Sequence, residues 1–261
     1  MDNNKNCIVL KFGGASVSSP EAFSSIADII LHRKSIYKKV IVVVSAMGDT
    51  TDELISLANK VNPNPPRREL DMLLSVGERI SIALLAMALA AKGTEALSFT
   101  GSQSGILTTS DHANAKIVNV KPNRLLPHLN NGKIVIVAGF QGMSLDGEIT
   151  TLGRGGSDTT AVALAVSLEA DKVEFFKDVS GIYDKDPKKF SNANLLNQLT
   201  YKEAFEIMDK GAQVLHSRCV RLAEKNSLPL KVLSFSSFLD ENIGTIIKDT
   251  IRSKKIISYE D

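Results

Sequence analysis

Apolar and β-branched residues recur along this chain in short unbroken runs: Ile8–Phe12, Val40–Ser45, Ala96–Thr100, Ile134–Phe140, Val173–Lys177 and Leu230–Ser234. Most of them lack the alternation of a strand with one wet face. Runs of this kind read as central strands of a parallel sheet covered on both sides. Helical stretches separate them, at Pro20–Ile36, Thr51–Val61, Glu69–Lys92, Thr159–Leu168, Tyr201–Lys210 and Val214–Asn226. Ser19-Pro20 reads as the N-cap and first position of the first helix, and Thr50-Thr-Asp-Glu53 as a capping box. Strand and helix alternate throughout, which predicts an α/β fold: a three-layer αβα sandwich with a mainly parallel, open central sheet. Leu107–Lys116 and Leu145–Thr151 read as small antiparallel excursions, with Asp146-Gly147 as a hairpin turn. Asn62-Pro-Asn-Pro-Pro66 interrupts the helical pattern but is too short for a domain linker, and no internal repeat or low-complexity segment is visible.

Composition narrows the class. The chain has 261 residues, enough for one large domain, with 43% hydrophobic and 23% charged residues, as in an ordinary soluble globule. A net charge of +2 gives no case for nucleic acid or an anionic membrane surface. The basic cluster His32-Arg-Lys-Ser-Ile-Tyr-Lys-Lys39 reads as a solvated helix end. Cys7 and Cys219 are isolated and the four histidines scattered, so buried apolar roles for the thiols, a reducing compartment and no structural metal site are expected. The polar opening Met1–Asn6 resembles no targeting peptide, and the apolar run Ile80–Ala91 is too short and alanine-rich for a membrane span. A cytoplasmic protein is expected.

Candidate chemistry concentrates at turns that follow strands. Thr151-Leu-Gly-Arg-Gly-Gly-Ser-Asp158 places an arginine, glycines, a serine and an aspartate before an apolar helix. Glycines admit close backbone approach to an anion, a helix start offers free N–H groups, and Arg154 can fork onto a carboxylate. Taken alone, the same residues also describe a glycine-rich turn capping an ordinary helix. Ile8-Val-Leu-Lys-Phe-Gly-Gly-Ala-Ser16 delivers Lys11 to Gly13-Gly14, as a point charge for phosphate or as a solvated strand end. Phe175-Phe-Lys-Asp-Val-Ser-Gly-Ile-Tyr-Asp-Lys-Asp-Pro187 opens a third turn, in which Asp184 and Asp186 alone would be turn formers. Ser45 opens the loop Ser45-Ala-Met-Gly-Asp-Thr-Thr51. Glu78 shares a helical stripe with Leu74, Ile82 and Leu85, so its buried charge calls for a cation, with Arg79 as the structural alternative. Neither a P-loop nor the Rossmann glycine spacing is present.

Together, Lys-Phe-Gly-Gly, Gly-Arg-Gly-Gly-Ser-Asp and Asp-Val-x-Gly-Ile-Tyr-x-x-Asp-Pro resemble the amino acid kinase family, and within it the aspartate kinases, from Ile8 to about Ile247. The resemblance implies ATP-dependent phosphorylation of the β-carboxylate of L-aspartate, the first step towards lysine, threonine and methionine. Lys11 and Asp158 would be catalytic. Ser45, Thr51, Glu78, Arg154, Gly155, Gly156 and Ser157 would bind the amino acid, with Glu78 on its α-ammonium and Arg154 on its α-carboxylate. Lys11, Phe12, Gly13, Gly14, Lys177, Asp178, Tyr183, Asp186, Lys188 and Gln213 would bind nucleotide. Gln213 stands where many members carry lysine, so any second neutralising lysine comes from elsewhere, with Lys177 as a candidate. Mg2+ would be held mainly through the phosphates, with no protein metal ligand. The amino acid lobe would extend to about residue 171, the nucleotide lobe over about 172–247, and a homodimer is implied. Alternatives are a kinase for acetylglutamate or another small carboxylate, a UMP kinase, or a catalytically silent nucleotide-binding subunit. Aspartate kinases of this pattern continue into paired ACT domains after a segment like Gly244-Thr-Ile-Ile247, whereas here only Lys248–Asp261 follow. No regulatory domain, and activity insensitive to lysine and threonine, are therefore expected.

Overall fold

The computed structural model describes residues 5–187, 189–209, 211, 214–235, 238–240, 243–249 and 257–260. Its main sheet joins β1 (Lys5–Phe12), β2 (Tyr37–Val44), β3 (Ala96–Phe99), β6 (Ile134–Ala138), β9 (Lys172–Lys177), β10 (Gln198–Leu199), β11 (Leu230–Ser234) and β12 (Thr245–Ile247) in the order β10-β12-β11-β9-β1-β2-β6-β3. Every pairing is parallel except β11 with β12. The six apolar runs therefore all become strands of one sheet, and the short strands β12 and β10 extend it beyond β11.

Both faces are covered, which explains why the central runs are apolar at every position. In β1, Ile8, Leu10 and Phe12 face one core, together with α1 (Ala22–Lys34) and α4 (Val76–Ala91). Cys7 and Val9 face the other, together with α6 (Gly156–Ser167) and α8 (Ser217–Lys225). Both thiols are free and buried, as expected. A second sheet, β5-β4-β7-β8, is built from β4 (Ile106–Thr108), β5 (Ile117–Val120), β7 (Gln141–Ser144) and β8 (Ile149–Thr151). The β7–β8 hairpin turns at the expected place, with Gly147 at φ 86°. The remaining helices are α2 (Thr50–Val61), α3 (Arg67–Leu74), α5 (Leu126–Asn130) and α7 (Tyr201–Asp209).

Local signals failed where tertiary contacts compete. The first helix begins at Ala22 after Glu21, so Ser19 and Pro20 stay in the preceding turn. No capping box forms at α2: Asp49 is the N-cap, and the Thr50 hydroxyl donates to the Met47 carbonyl at 2.6 Å. The expected helix 69–92 is two helices broken at Ser75, whose carbonyl accepts the Gln141 side-chain amide at 2.9 Å. Directly after the break, Gly77 lies so near the β2 loop that a Cβ would come 2.8 Å from Ala46 Cβ. By length and hydropathy alone Arg67–Ala91 could cross a membrane, a longer stretch than the run read from sequence. It buries Asp71 and Glu78 in the protein interior, as a core element does.

The basic cluster is not simply a solvated face. Arg33 and Tyr37 are buried, and Arg33 Nε lies 2.7 Å from Glu174 Oε2, while Lys172 Nζ lies 2.7 Å from Oε1. Burial pushes the Glu174 carboxyl up, but Lys172 and Arg33 more than offset it and hold it below the ordinary range. Arg33→Met removes one partner from a buried pair, so a loss of about 3–5 kcal/mol in urea unfolding is expected. Arg33→Met with Glu174→Leu should regain more than half of it. A single-variant loss below about 1 kcal/mol would mean that the pair does not hold α1 to the sheet.

Candidate active site

Strand parity aims the charged groups. Lys11 shares the Cys7 and Val9 face of β1, and Lys177 continues the Val173 and Phe175 face of β9, its partner strand. That face lies under α6, whose first turn carries Asp158. Lys11 Nζ lies 2.6 Å from Asp158 Oδ1, and Lys177 Nζ lies 3.4 Å from Oδ2. Lys11 and Asp158 are buried, and Lys177 is half-buried. Burial pushes the Asp158 carboxyl up, yet Lys11 and Lys177 outweigh it and hold the acid below its ordinary range. Burial pulls Lys11 down, Asp158 opposes that, and Lys177 adds to it.

Two cavities open at the carboxyl ends of these strands, where open α/β sheets place ligands. The first, about 550 Å³, is lined by Lys11, Ser45, Thr51, Glu78, Arg154, Gly155, Gly156, Ser157 and Asp158, which brings together every residue expected to hold the amino acid. The second, about 380 Å³, is lined by Lys11, Gly13, Gly14, Ser16, Lys177 and Asp178. Lys11 and Gly14 belong to both. Among the described residues, the N–H groups of Gly13, Gly14, Gly153, Arg154 and Gly155 donate to no protein acceptor. These are the groups a phosphate or carboxylate would take up.

Glu78 departs from the expectation of a cationic partner. Its Oε1 accepts the Ala46 N–H at 3.1 Å, its Oε2 is buried without a partner, and Arg79 Nε is likewise unpartnered. Burial raises the Glu78 carboxyl to about 7, against smaller opposing effects of backbone N–H groups and Lys11. Arg154 is exposed at the rim and makes no ion pair among the described residues. The cavity therefore presents a buried acid and a guanidinium without an ion-pair partner among the described residues, charges of the two signs that an amino acid's α-substituents carry.

The 153–157 loop is built from strained and tightly fitted backbone. Gly155 is the N-cap of α6 at φ 72°, and a Cβ there would stand 2.3 Å from His216 Cγ. Gly139 admits Ser157, whose Oγ would be 2.7 Å from a Cβ at that position. Phe140, lining the first cavity, sits at φ 70°, a conformation that bulky residues rarely adopt. Asp71 anchors the approach to the loop. It accepts the Thr151 hydroxyl at 2.6 Å and the Thr151 and Ala113 N–H groups at 3.1 Å, and lies 2.8 Å from His112 Nδ1. The sequence reading missed Asp71, Phe140 and His216. The one available signal was an aspartate between Leu70 and Met72 in a helix that buries its apolar face.

Some expected nucleotide residues lie elsewhere. The Phe12 side chain is in the core, stacked on Phe176 with centroids 4.7 Å apart, and Phe12 lines neither cavity. Tyr183 bridges to Leu195, and Asp186 lies in an exposed turn 3.7 Å from Lys189 Nζ; neither lines the two cavities. Asp184 is a turn former bonded to Asn194. Lys188 and Gln213 lie outside the described residues. Among the described residues no cluster of three or more His, Cys, Asp or Glu could hold a metal ion.

Known proteins agree with this architecture. The aspartokinase of Mycolicibacterium smegmatis is 51% identical over 94% of this chain, which spans 58% of that relative's length. The crystal structure of aspartate kinase from Synechocystis superposes with a TM-score of 0.85 at 42% identity, covering 98% of this chain and 42% of that one. E. coli aspartokinase III, solved in complex with aspartate and ADP, superposes with a TM-score of 0.83 at 28% identity over 94% of this chain and 65% of that one. The family model for the amino acid kinase family matches residues 6–234, and with its fold and its site both in place the chain belongs to that family.

Proposed function

We propose that this chain transfers the γ-phosphoryl group of ATP to the β-carboxylate of L-aspartate. The observation that carries the reading is the Lys11–Asp158–Lys177 ion cluster, set where an amino-acid-sized cavity meets a glycine-lined one. The aspartate and ADP bound in E. coli aspartokinase III support the same pair of ligands here. Buried Glu78, with one orphan oxygen, suits a free α-ammonium better than an acetylated amine, which brings no cation. This favours aspartate over acetylglutamate.

In this reading Glu78 receives the α-ammonium, and Arg154 with the 153–155 N–H groups receives the α-carboxylate. The β-carboxylate then points at Lys11. A carboxylate with a pKa of about 4 is already ionised, so its oxygen attacks the γ-phosphorus without a general base. The bond to the bridging β,γ-oxygen breaks, ADP leaves, and an acyl phosphate forms. Lys11 and Lys177 neutralise the charge shared between the two anions, and Asp158 holds both ammonium groups in place before either ligand arrives. With both Asp158 oxygens facing lysines, the residues fit Mg2+ carried on the nucleotide phosphates, where it would screen their charge. The nucleotide lobe then includes residues 13–16 as well as the part after residue 171. A cytoplasmic homodimer serving the route to lysine, threonine and methionine belongs to the same proposal, and the exposed Val76, Ile80 and Met87 along one face of α4 support the self-association.

Lys11→Met should cut kcat by about 10²–10³, the typical effect of losing one preorganised electrostatic partner. Lys11 is also half of a buried pair, so the variant should melt at a lower temperature. Turnover is therefore compared below that transition. Near-normal turnover would remove Lys11 from the chemistry.

Arg154→Lys keeps the charge and loses the planar fork, so KM for aspartate should rise far more than KM for ATP, with no change in melting because the residue is exposed and makes no ion pair among the described residues. A defect mainly in ATP would move Arg154 to the phosphate side.

Glu78 supplies a pH signature. Its folded-state pKa of about 7 exceeds the ordinary 4.5, so the neutral form dominates below pH 7 and must lose a proton to receive an ammonium group. KM for aspartate should fall as pH rises through 7, then level off. Glu78→Gln should flatten that dependence and leave a weak, pH-independent KM. A profile unchanged by Glu78→Gln would place the ammonium elsewhere.

A further inference from the structure

The 153–157 loop is held on the α3 side by Asp71, and the opposite side is held by Arg218 of α8. Arg218 Nη1 donates to the Leu152 carbonyl, directly before the loop. Its Nη2 donates to the Ala115 carbonyl at 2.5 Å and to Glu260 Oε2 at 2.7 Å, and its Nε donates to Glu260 Oε1. Ala115 N–H in turn donates to the Thr151 carbonyl at 2.9 Å. The guanidinium thus bridges two backbone carbonyls on either side of that bond, with its carboxylate partner completing the fork.

Glu260 is itself fixed. Its Oε2 accepts the Ile117 N–H at 2.8 Å, and its own N–H donates to the Ile117 carbonyl at 3.0 Å, so the segment adds to the β5 edge. Ser258 exchanges two hydrogen bonds with the Asn226 side chain, at 2.7 and 3.0 Å, beyond the last turn of α8. The N-cap of the same helix, His216, meets the loop again at Gly155. One short helix therefore touches the loop at Leu152 and at Gly155, flanking Arg154, and the 257–260 segment sets where that helix places Arg218.

We propose that Arg218 and Glu260 are positioning residues for the amino acid site: Glu260 orients Arg218, Arg218 holds the Leu152 carbonyl, and Leu152 sets the turn that aims Arg154 and the loop N–H groups. Neither side chain lines the 550 Å³ cavity, so both act through the loop. A lysine at 218 could not span these four acceptor oxygens in one plane. Displacements of about 1 Å in a positioned group can cost on the order of 10²-fold in rate, so a loosened loop is expected to be felt at the substrate.

The proposal rests on the aspartate kinase reading, and the test separates the two. Glu260→Ala and Glu260→Gln are made in the full chain, and KM for aspartate and for ATP is measured together with hydrogen exchange of the 153–157 amides. Glu260→Ala should raise KM for aspartate about tenfold or more while KM for ATP stays within about twofold, and should speed exchange of those amides. Glu260→Gln, which keeps one acceptor for the guanidinium, should lie between it and the unsubstituted chain in both readouts. A structural role alone would lower the melting temperature without separating the two KM values. Unchanged exchange at 153–157, or equal changes in both KM values, would overturn the proposal. If the unsubstituted chain does not phosphorylate aspartate, the functional reading fails and the exchange data still decide whether the latch exists.

Discussion

Asp158, buried between two lysines, is the constraint on which the rest of this structure depends. An isolated buried carboxylate is prohibitively costly, so it persists only where cations of fixed geometry reach it. Those cations come from β1 and β9, and they meet one carboxylate only because the strands are neighbours in parallel register and both lysines fall on the face under α6. A one-residue slip of either strand would turn its lysine towards α1 and α4. The sheet order and the site are therefore a single requirement. The cluster carries two positive charges against one negative, and the excess charge faces the junction of the two cavities, where incoming anions would meet.

The side proposed to hold the amino acid is organised differently. There the charged groups are left incomplete among the described residues: Glu78 has one oxygen without a partner, and exposed Arg154 makes no ion pair. Deep charges that are mutually satisfied stay in place whether or not ligand is present. Groups at the rim and in the pocket wall would gain their partners only on binding, so in the proposed reading selectivity resides with them. The pKa of about 7 at Glu78 expresses the same division, since burial without a cation is what raises it.

The sheet and the site motifs were legible in the sequence because both are local. Unbroken apolar runs report burial on two faces, and glycine-flanked charges at strand ends report carboxyl-edge turns, which is why the residues expected to hold the amino acid, from Ser45 to Ser157, line one cavity. Helix boundaries were not legible, because a packing contact at Ala46 and a side-chain bond from Gln141 end the helix at Ser75. Arg33 looked solvated because its partner Glu174 lies 141 residues away. The anchors of the loop were hidden for the same reason: Asp71 meets Thr151 across 80 residues and Arg218 meets Leu152 across 66. Phe12 shows the converse case, a residue inside a motif whose side chain strand parity assigns to the core.

Those distant anchors bear on how a turn of glycines can be a precise binding surface. Glycine loses more conformational freedom on ordering than any other residue, so the 153–156 segment would be mobile if left to its own propensities. Its surroundings also hold unfavourable backbone: Phe140 in the left-handed region accepts the Leu152 N–H at 2.8 Å through its carbonyl, while its own N–H reaches the Thr160 hydroxyl at 3.2 Å. Strain of this sort persists only where neighbours over-determine the conformation. Asp71 supplies acceptors for Thr151, Phe140 supplies one for Leu152, Arg218 donates to the Leu152 carbonyl, and His216 limits Gly155 to a residue without a side chain. The backbone groups of Thr151 and Leu152 leading into the loop are thus committed to partners outside it, while the N–H groups of Gly153, Arg154 and Gly155 are left over among the described residues. Rigidity is imported from α3, α6 and α8, and the glycines contribute only the close approach, which is how a segment with no intrinsic preference for order comes to present a fixed set of donors to an anion.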